Sequence, residues 1–435
     1  MFTSKKYQNK KIAIYGMGKT GCSAAKTFEK LGSKVFCWDD NKKVRKKIKD
    51  LDFSINKFWL SEKTVDAIVI SPGIDSKKCE LKNYLKKNLN KVITDLDLFF
   101  ELNKNSLIIS ITGTNGKSTT CKIIEKILTA AKYNVKTVGN IGNPILSLQR
   151  KNKNYIFILE VSSYQLEYSK IFHSKHAAIL NISPDHLERH GNLKNYIKIK
   201  SKIFFAQNRS DYSYINLENK NSTQIKKIFK SKKLNSKLIE VKKSNCNSIL
   251  KKVNNKYFDI ECNIENLTFA YKIAKNLKIS DKVIINAINK FKGLPHRQEV
   301  IFSNKKMLCV NDSKATSFEA SLQSLASYNK IYWIVGGLPK RQDYFNLKKV
   351  KKNIIKAYII GKHTSFFERQ IKGKIPYIIS KNLNSAVNKI YSDIMYSKIS
   401  RCTVLLSPAA ASFDQFNNFE TRGDHFKSLI IKKLN

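Results

Sequence analysis

The sequence predicts an α/β protein of three domains, each built on a largely parallel sheet. Apolar strand patterns alternate with amphipathic helix patterns along the chain, and two strand–helix junctions are glycine-rich. Many of the strands end in small, polar or charged residues, where an open parallel sheet gathers its ligands. At 435 residues there is room for about two to four such cores.

The first block, residues 1–92, opens with the strand pattern KIAIY. The turn Gly16-Met17-Gly18-Lys19-Thr20-Gly21 and the helix pattern CSAAKTFEKLG follow. A second strand, KVFCWDD, ends in Asp39 and Asp40. A G-x-G-x-x-G turn with an acid about 20 residues on makes this block Rossmann-like. Read alone, it suits NAD or FAD. The same physics accepts a UDP-sugar, because it specifies only a diphosphate at a helix end and a ribose on a carboxylate. A third strand, AIVISPGI, closes on Ser71-Pro72-Gly73, another tight turn.

The second block, 93–293, starts with the helix pattern ITDLDLFFELNK and continues into ITGTNGKSTT at 111–120. That turn lies between the strand pattern SLIISI and the helix pattern CKIIEKILTAA. It directs backbone N–H groups at one point, where the helix dipole and a lysine add positive charge. Gly113, Thr114, Asn115, Gly116, Lys117, Ser118 and Thr119 therefore read as a phosphate loop for ATP. Lys117 would sit on the terminal phosphates, with Ser118 or Thr119 offering a hydroxyl to Mg²⁺. Ile111 stands where the strict pattern has glycine; the competing reading is a solvated Gly/Asn turn.

The strand YIFIL runs into Glu160, a candidate Mg²⁺ ligand beside a phosphate loop and an ordinary strand-end acid without one. HAAILNISPDHLERHG carries Asp185 and His186; on its own, His186 fits a hydrogen-bonded structural histidine. Farther on, Leu193, Tyr196, Ile197, Ile203 and Phe204 form one apolar helical stripe with Lys200 in its middle. Lys194, Lys198 and Lys202 fall on the other side. Periodicity favours a Lys200 that snorkels its ammonium to the edge. The sharper alternative is a lysine with a depressed pKa, whose neutral amine adds CO₂ and becomes an acidic ligand for a second Mg²⁺.

Residues 216–258, rich in Lys, Asn and Ser, read as a surface-facing strand-and-loop region, and CNIENLTFAYKIAKNL resumes a helix containing Asn263 and Asn266. The third block, 294–435, follows GLPHRQEV with the strands MLCVNDSKAT, IYWIVGG, AYIIG and TVLLSPAAAS.

Eight cysteines are scattered without paired spacing, which suggests neither a disulfide framework nor a zinc site and suits a reducing compartment. The N-terminus, MFTSKKYQNKK, is polar, and no apolar run approaches the length of a membrane span. A cytoplasmic protein without membrane contact is expected. The formal charge of +48 raises nucleic-acid binding. The lysines, however, are spread along the chain, and the aromatics lie in core-like runs such as LFFEL. No specific nucleic-acid partner is expected, and the charge is left to steer anionic substrates.

Together these motifs resemble those of the Mur ligases over nearly the whole chain. The matching segments are GTNGKST, GNIGNP at 139–144, LEVSSYQLE, NISPDHLERHG, YIKIKSKIF, GLPHRQEV and NDSKAT. The segment LLSPAAASFDQFNNFETRGDHF at 405–426 resembles the branch of the family that attaches D-glutamate. The resemblance implies a UDP-binding domain, an ATPase domain and a dinucleotide-binding-like C-terminal domain that takes the amino acid. It implies an ATP-dependent ligase of peptidoglycan precursor synthesis, a cytoplasmic monomer joining D-glutamate to UDP-N-acetylmuramoyl-L-alanine through an acyl phosphate. Two Mg²⁺ ions are implied: Ser118 and Glu160 at one, His186 and a carbamate on Lys200 at the other. Asn266, Arg297 and Asp312 would face the ATP base and ribose. Gly18, Thr20, Asp39, Gly73 and Asn140 would face the UDP-sugar, and Lys314, Thr316, Lys340, Ser412 and Phe419 the amino acid. Leu338, Ala410 and Ser317 depart from the family's usual acid, cysteine and asparagine. Other Mur or folylpolyglutamate-type ligases, a basic non-catalytic nucleotide- or nucleic-acid-binding protein and a dehydrogenase are the alternatives.

Overall fold

The computed structural model describes residues 5–49, 53–58, 64–139, 144–147, 154–340, 344–397 and 399–434. Three sheets organise them. The first comprises β1 (Lys11–Tyr15), β2 (Lys34–Trp38), β3 (Ala67–Ile70) and β4 (Val92–Ile93), in the order β2-β1-β3-β4. All its pairings are parallel. Helix α1 (Lys19–Lys30) lays Ala24, Ala25 and Phe28 into the core. The small alanines let the helix backbone come close while Phe28 fills the remaining space. Because β4 closes this sheet, a domain boundary after residue 92 falls inside a strand.

The second sheet runs β10-β9-β8-β5-β7-β6 and is parallel throughout. Its strands are β5 (Ile108–Thr112), β6 (Val135–Gly139), β7 (Ile156–Glu160), β8 (His176–Ile179), β9 (Tyr212–Asn216) and β10 (Lys237–Val241). The central strands β5, β7 and β8 are buried along their whole length, as a sheet covered on both faces requires. Helix α2 (Asp95–Leu102) leads into the sheet, its start fixed by a reciprocal capping box between Thr94 and Asp97. Helix α3 (Lys117–Ala130) follows β5 directly. Beyond β7 come α4 (Ser163–Glu167) and α5 (Leu193–Ser201).

The 216–258 stretch is more ordered than its composition suggests. It contains helix α6 (Ser222–Ser231), which buries Ile225, as well as β10. Ile225, Ile228 and Phe229 supply a helical stripe hidden among lysines and polar residues. Helix α7 (Glu261–Asn276) and a shorter helix, Asp281–Asn289, follow.

The third sheet has the order β11-β12-β16-β13-β14-β15. Its strands are β11 (Glu299–Ser303), β12 (Met307–Asn311), β13 (Ile331–Gly336), β14 (Ile354–Ile360), β15 (Tyr377–Lys381) and β16 (Cys402–Leu406). Only the β11–β12 pair is antiparallel. Helices α8 (Phe318–Ser327) and α9 (Phe419–Leu434) belong to this part. The chain divides into two compact units, residues 1–255 with 263–291, and 256–262 with 292–435. The first holds two sheets and the second holds one. Among the described residues, no helix is long and apolar enough to cross a membrane.

Candidate active site

At the C-terminal end of β5, the loop 113–116 turns into α3, which has no side-chain cap at its N-terminus. Gly116 takes a left-handed φ of 82° there, and a Cβ at this position would lie 2.2 Å from Asn266 Oδ1. Glycine is therefore required twice, for conformation and for space. Lys117 folds across the loop and donates to the carbonyls of Gly113 (2.8 Å) and Thr114 (2.7 Å). Ser118 Oγ donates to Glu160 Oε2 at 2.6 Å, and both residues are buried. That pair presents hard oxygen donors beside the loop 113–116, a donor set that fits Mg²⁺. Thr119 is buried one position on.

Lys200 lies on the inner face of α5 and is 2% exposed. The periodicity-based expectation of a snorkelling ammonium is corrected, because Nζ turns into the protein. It donates to Gly113 O (2.9 Å) and Thr112 Oγ1 (3.2 Å), with the Tyr196 ring 4.9 Å away. Burial holds its amine well below the usual lysine range, and the Lys117 charge pushes the same way. Lys202 is also corrected. It lies in the 3₁₀ turn that ends α5, is half-buried, and donates to Glu167 O, so it does not face solvent as Lys194 and Lys198 do.

His186 has a left-handed φ of 54° ahead of the short helix Leu187–His190. Its Nδ1 is 2.8 Å from Tyr164 Oη, and its Nε2 is 3.3 Å from Asp185 Oδ2. Among the described residues, no three His, Cys, Asp or Glu side chains form a metal-binding cluster. A second cation would need a ligand of another kind.

In the first sheet, Asp39 accepts from the backbone N–H groups of Met17 (2.7 Å) and Asn41 (2.9 Å). Its carboxylate thus braces the glycine-rich turn. A Cβ on Gly21 would lie 1.9 Å from Gly16 O, so glycine permits the close helix–strand approach. Gly18 and Gly73 are exposed and Thr20 is half-buried at the same end of the sheet. Asn140 lies outside the described residues.

Two family descriptions match: "Mur ligase MurD-like, N-terminal domain" over residues 10–93, and "Mur ligase middle domain" over 111–306. The UDP-N-acetylmuramoylalanine–D-glutamate ligase of Rickettsia felis is 35% identical, covering 97% of both chains. That of Rickettsia bellii is 36% identical, covering 98% of this chain and 97% of its own. The chain belongs to the Mur ligase family. Solved Mur ligases share the fold. MurC from Thermotoga maritima superposes with a TM-score of 0.54 at 14% identity, covering 98% of this chain and 100% of its own. MurF from Acinetobacter baumannii gives 0.55 at 16% identity, covering 77% and 79%.

The second compact unit of this Mur ligase brings some expected residues together. Lys314 Nζ stands 3.7 Å above the Phe419 ring, a cation–π contact that orients the ammonium. Thr316 and Lys340 are half-buried, and Ser412 is buried. Arg297 lies between His296 and Gln298, both with left-handed φ. Asp312 is engaged internally: it accepts from Ser324 Oγ (2.6 Å), Ser407 Oγ (3.0 Å) and Gln298 N (3.3 Å). Burial pushes its carboxyl up to about 6. Asn266 lies in the first unit and accepts from Thr120 Oγ1 (3.2 Å), so it packs against the phosphate loop itself. Of the three departures, Ser317 caps α8, Ala410 is buried, and Leu338 is exposed while bridging to Ala411.

Sequence reading missed Asn181 and Tyr164. Asn181 Oδ1 accepts from Asn115 N at 2.9 Å and its amide donates to Glu265, fixing the loop from β8. Its position at the end of the HAAIL strand was the available signal. Arg422 was also passed over. It is 1% exposed and donates to Ser313 O, Ser313 Oγ and Ala410 O, tying α9 to the segments that carry Lys314 and Ser412.

Proposed function

We propose that this Mur ligase joins the amine of D-glutamate to the alanyl carboxylate of UDP-N-acetylmuramoyl-L-alanine, using ATP. The observation that carries the chemistry is the convergence of Lys117, Ser118, Glu160 and Lys200 on the loop 113–116. The substrate identity is supported by full-length relatives that carry this activity in their names.

In this reading Lys117 leaves the loop carbonyls for the terminal phosphates of ATP, and the N–H groups at the start of α3 receive the phosphate oxygens. Thr114, Asn115 and Thr119 complete the cradle. Ser118 and Glu160 hold one Mg²⁺; His186 and a carbamate on Lys200 hold a second. The carbamate forms when the neutral Lys200 amine bonds to CO₂ carbon and loses a proton. When bound, Mg²⁺ neutralises the charge that accumulates as the substrate carboxylate nears the γ-phosphate. The carboxylate takes the phosphoryl group and ADP leaves. The D-glutamate amine then attacks the acyl carbon, and phosphate departs with the acyl–oxygen electron pair and takes up the proton that the amine releases. Lys117 offsets the negative charge of the transferring phosphoryl group.

Asn266 braces the phosphate loop, while Arg297 and Asp312 serve the ribose and base. Gly18, Thr20, Asp39, Gly73 and Asn140 serve the UDP-sugar. Lys314, Thr316, Lys340, Ser412 and Phe419 serve D-glutamate, with the two lysines on its carboxylates. Three domains at 1–93, 94–293 and 294–435, with the first boundary moved past β4, action as a monomer, and a cytoplasmic, ATP-containing location complete the proposal. Phosphate release from ATP, measured with and without each of the two other substrates, tests it. Release that needs neither would overturn it.

A further inference from the structure

Tyr164 occupies the first turn of α4, directly beside the His186 turn. Its ring centroid lies 4.9 Å from that of His186 and 5.5 Å from that of His190. The Arg189 guanidinium lies 5.4 Å from its centroid and is itself held by Glu167 through Nε (2.9 Å) and Nη2 (2.7 Å). The phenol is therefore fixed by its surroundings. On the other side of the imidazole, the Asp185 carboxylate is tied by Oδ1 to His186 N (3.1 Å) and offers Oδ2 to Nε2. Glu188 also faces Nδ1, at 3.6 Å.

We propose that Tyr164 is a positioning residue for His186, holding the imidazole through Nδ1 so that Nε2 faces a divalent cation shared with Asp185. A phenol both donates and accepts. Without a cation, Nε2–H donates to Asp185 and Nδ1 accepts from the Tyr164 hydroxyl. With one, Nε2 and an Asp185 oxygen both offer lone pairs to it, and Nδ1–H donates to Tyr164 Oη. One hydroxyl serves both tautomers without moving the ring. Such outer partners fix the tautomer and orientation of ligating histidines. The inference rests on the assignment of His186 as a metal ligand.

The test is Mn²⁺ titration of the full-length protein with a non-hydrolysable ATP analogue, read from the free-ion EPR signal. Long-range ¹H–¹⁵N spectra of ¹⁵N-histidine protein report the His186 tautomer. Tyr164→Phe keeps the ring and removes only the oxygen, so circular dichroism and melting should change little. Its Mn²⁺ dissociation constant at the His186 site should rise about tenfold, the usual size of such effects, with an altered His186 nitrogen signature. His186→Gln defines the level without this ligand. If His186→Gln weakens Mn²⁺ while Tyr164→Phe changes neither affinity nor nitrogen signature, the Tyr164 inference is overturned. If His186→Gln binds Mn²⁺ like the parent, the metal assignment fails and takes the inference with it.

Discussion

Ser118 Oγ donates to Glu160 Oε2 across 2.6 Å, tying the first turn of α3 to the end of β7. Strands β5 and β7 are parallel neighbours with Ile111 opposite Glu160, so both functional segments leave the sheet at the same end. A hydroxyl on a helix start and a carboxylate on a strand end are thereby set side by side by backbone hydrogen bonding alone. Little further ordering is then needed to receive a cation, which is how rigid elements pre-organise a site.

Lys117→Ala should remove ATP turnover and leave the fold intact. Its ammonium donates to the backbone carbonyls of Gly113 and Thr114, and the side chain is half-buried at the loop–helix junction, so truncation opens no cavity in the apolar core. Loss of its charge from the phosphoryl-transfer step should cost about 10²–10³ in kcat. Phosphate release per folded molecule, with folding followed by circular dichroism, measures this. Near-normal release would remove the loop from the mechanism.

Gly116→Ala should damage the same step by a different route. The added Cβ meets Asn266 Oδ1 at 2.2 Å, on a residue already at φ 82°. The left-handed conformation alone costs about 1–2 kcal/mol for an L-residue. A lower melting temperature and a KM for ATP raised about tenfold or more are expected. A variant with unchanged melting and KM would show that the loop relaxes freely.

The two glycine-rich turns were legible because they are local: a few consecutive residues set the backbone conformation of each turn. Lys200 was half legible. Periodicity placed it on the apolar stripe, but its aim at Gly113 O depends on α5 packing beside β5, which no local pattern encodes. Asn181 and Tyr164 needed the same tertiary knowledge, since their partners lie far away in sequence. Helix α6 was hidden because three apolar residues had to be found among lysines and asparagines whose surface role says nothing about period. The two buried serines that donate to one oxygen of Asp312 come from α8 and the segment after β16, a tertiary arrangement that the NDSKAT segment does not encode.

Phosphate release should require UDP-N-acetylmuramoyl-L-alanine and D-glutamate together, with L-glutamate a poor substitute. Lys314 is held over Phe419 by a 3.7 Å cation–π contact, so its ammonium meets a carboxylate from a fixed direction. Inverting the α-carbon cannot present amine and both carboxylates to fixed partners at once. Lys314→Met should raise the KM for D-glutamate far more than that for ATP. Equal rates with the two enantiomers would sink the assignment.

Lys200→Ala should nearly abolish turnover, with partial recovery in high bicarbonate or a short carboxylic acid. The lysine is buried with an amine held below the usual range, and the neutral form is the one that adds CO₂. Deleting the side chain removes the proposed carbamate but leaves a cavity beside Gly113 O and Thr112 Oγ1 that a small acid can enter. Lys198→Ala is the silent control because that side chain is exposed. Lys202→Ala should instead lower stability modestly, through loss of its bond to Glu167 O, without changing turnover per folded molecule. A purely structural Lys200 gives a different pattern: its alanine variant melts earlier, keeps its turnover per folded molecule, and does not respond to added acids. Measuring all three variants at matched folded fraction separates the two roles, and absence of any rescue together with retained turnover would rule out the carbamate.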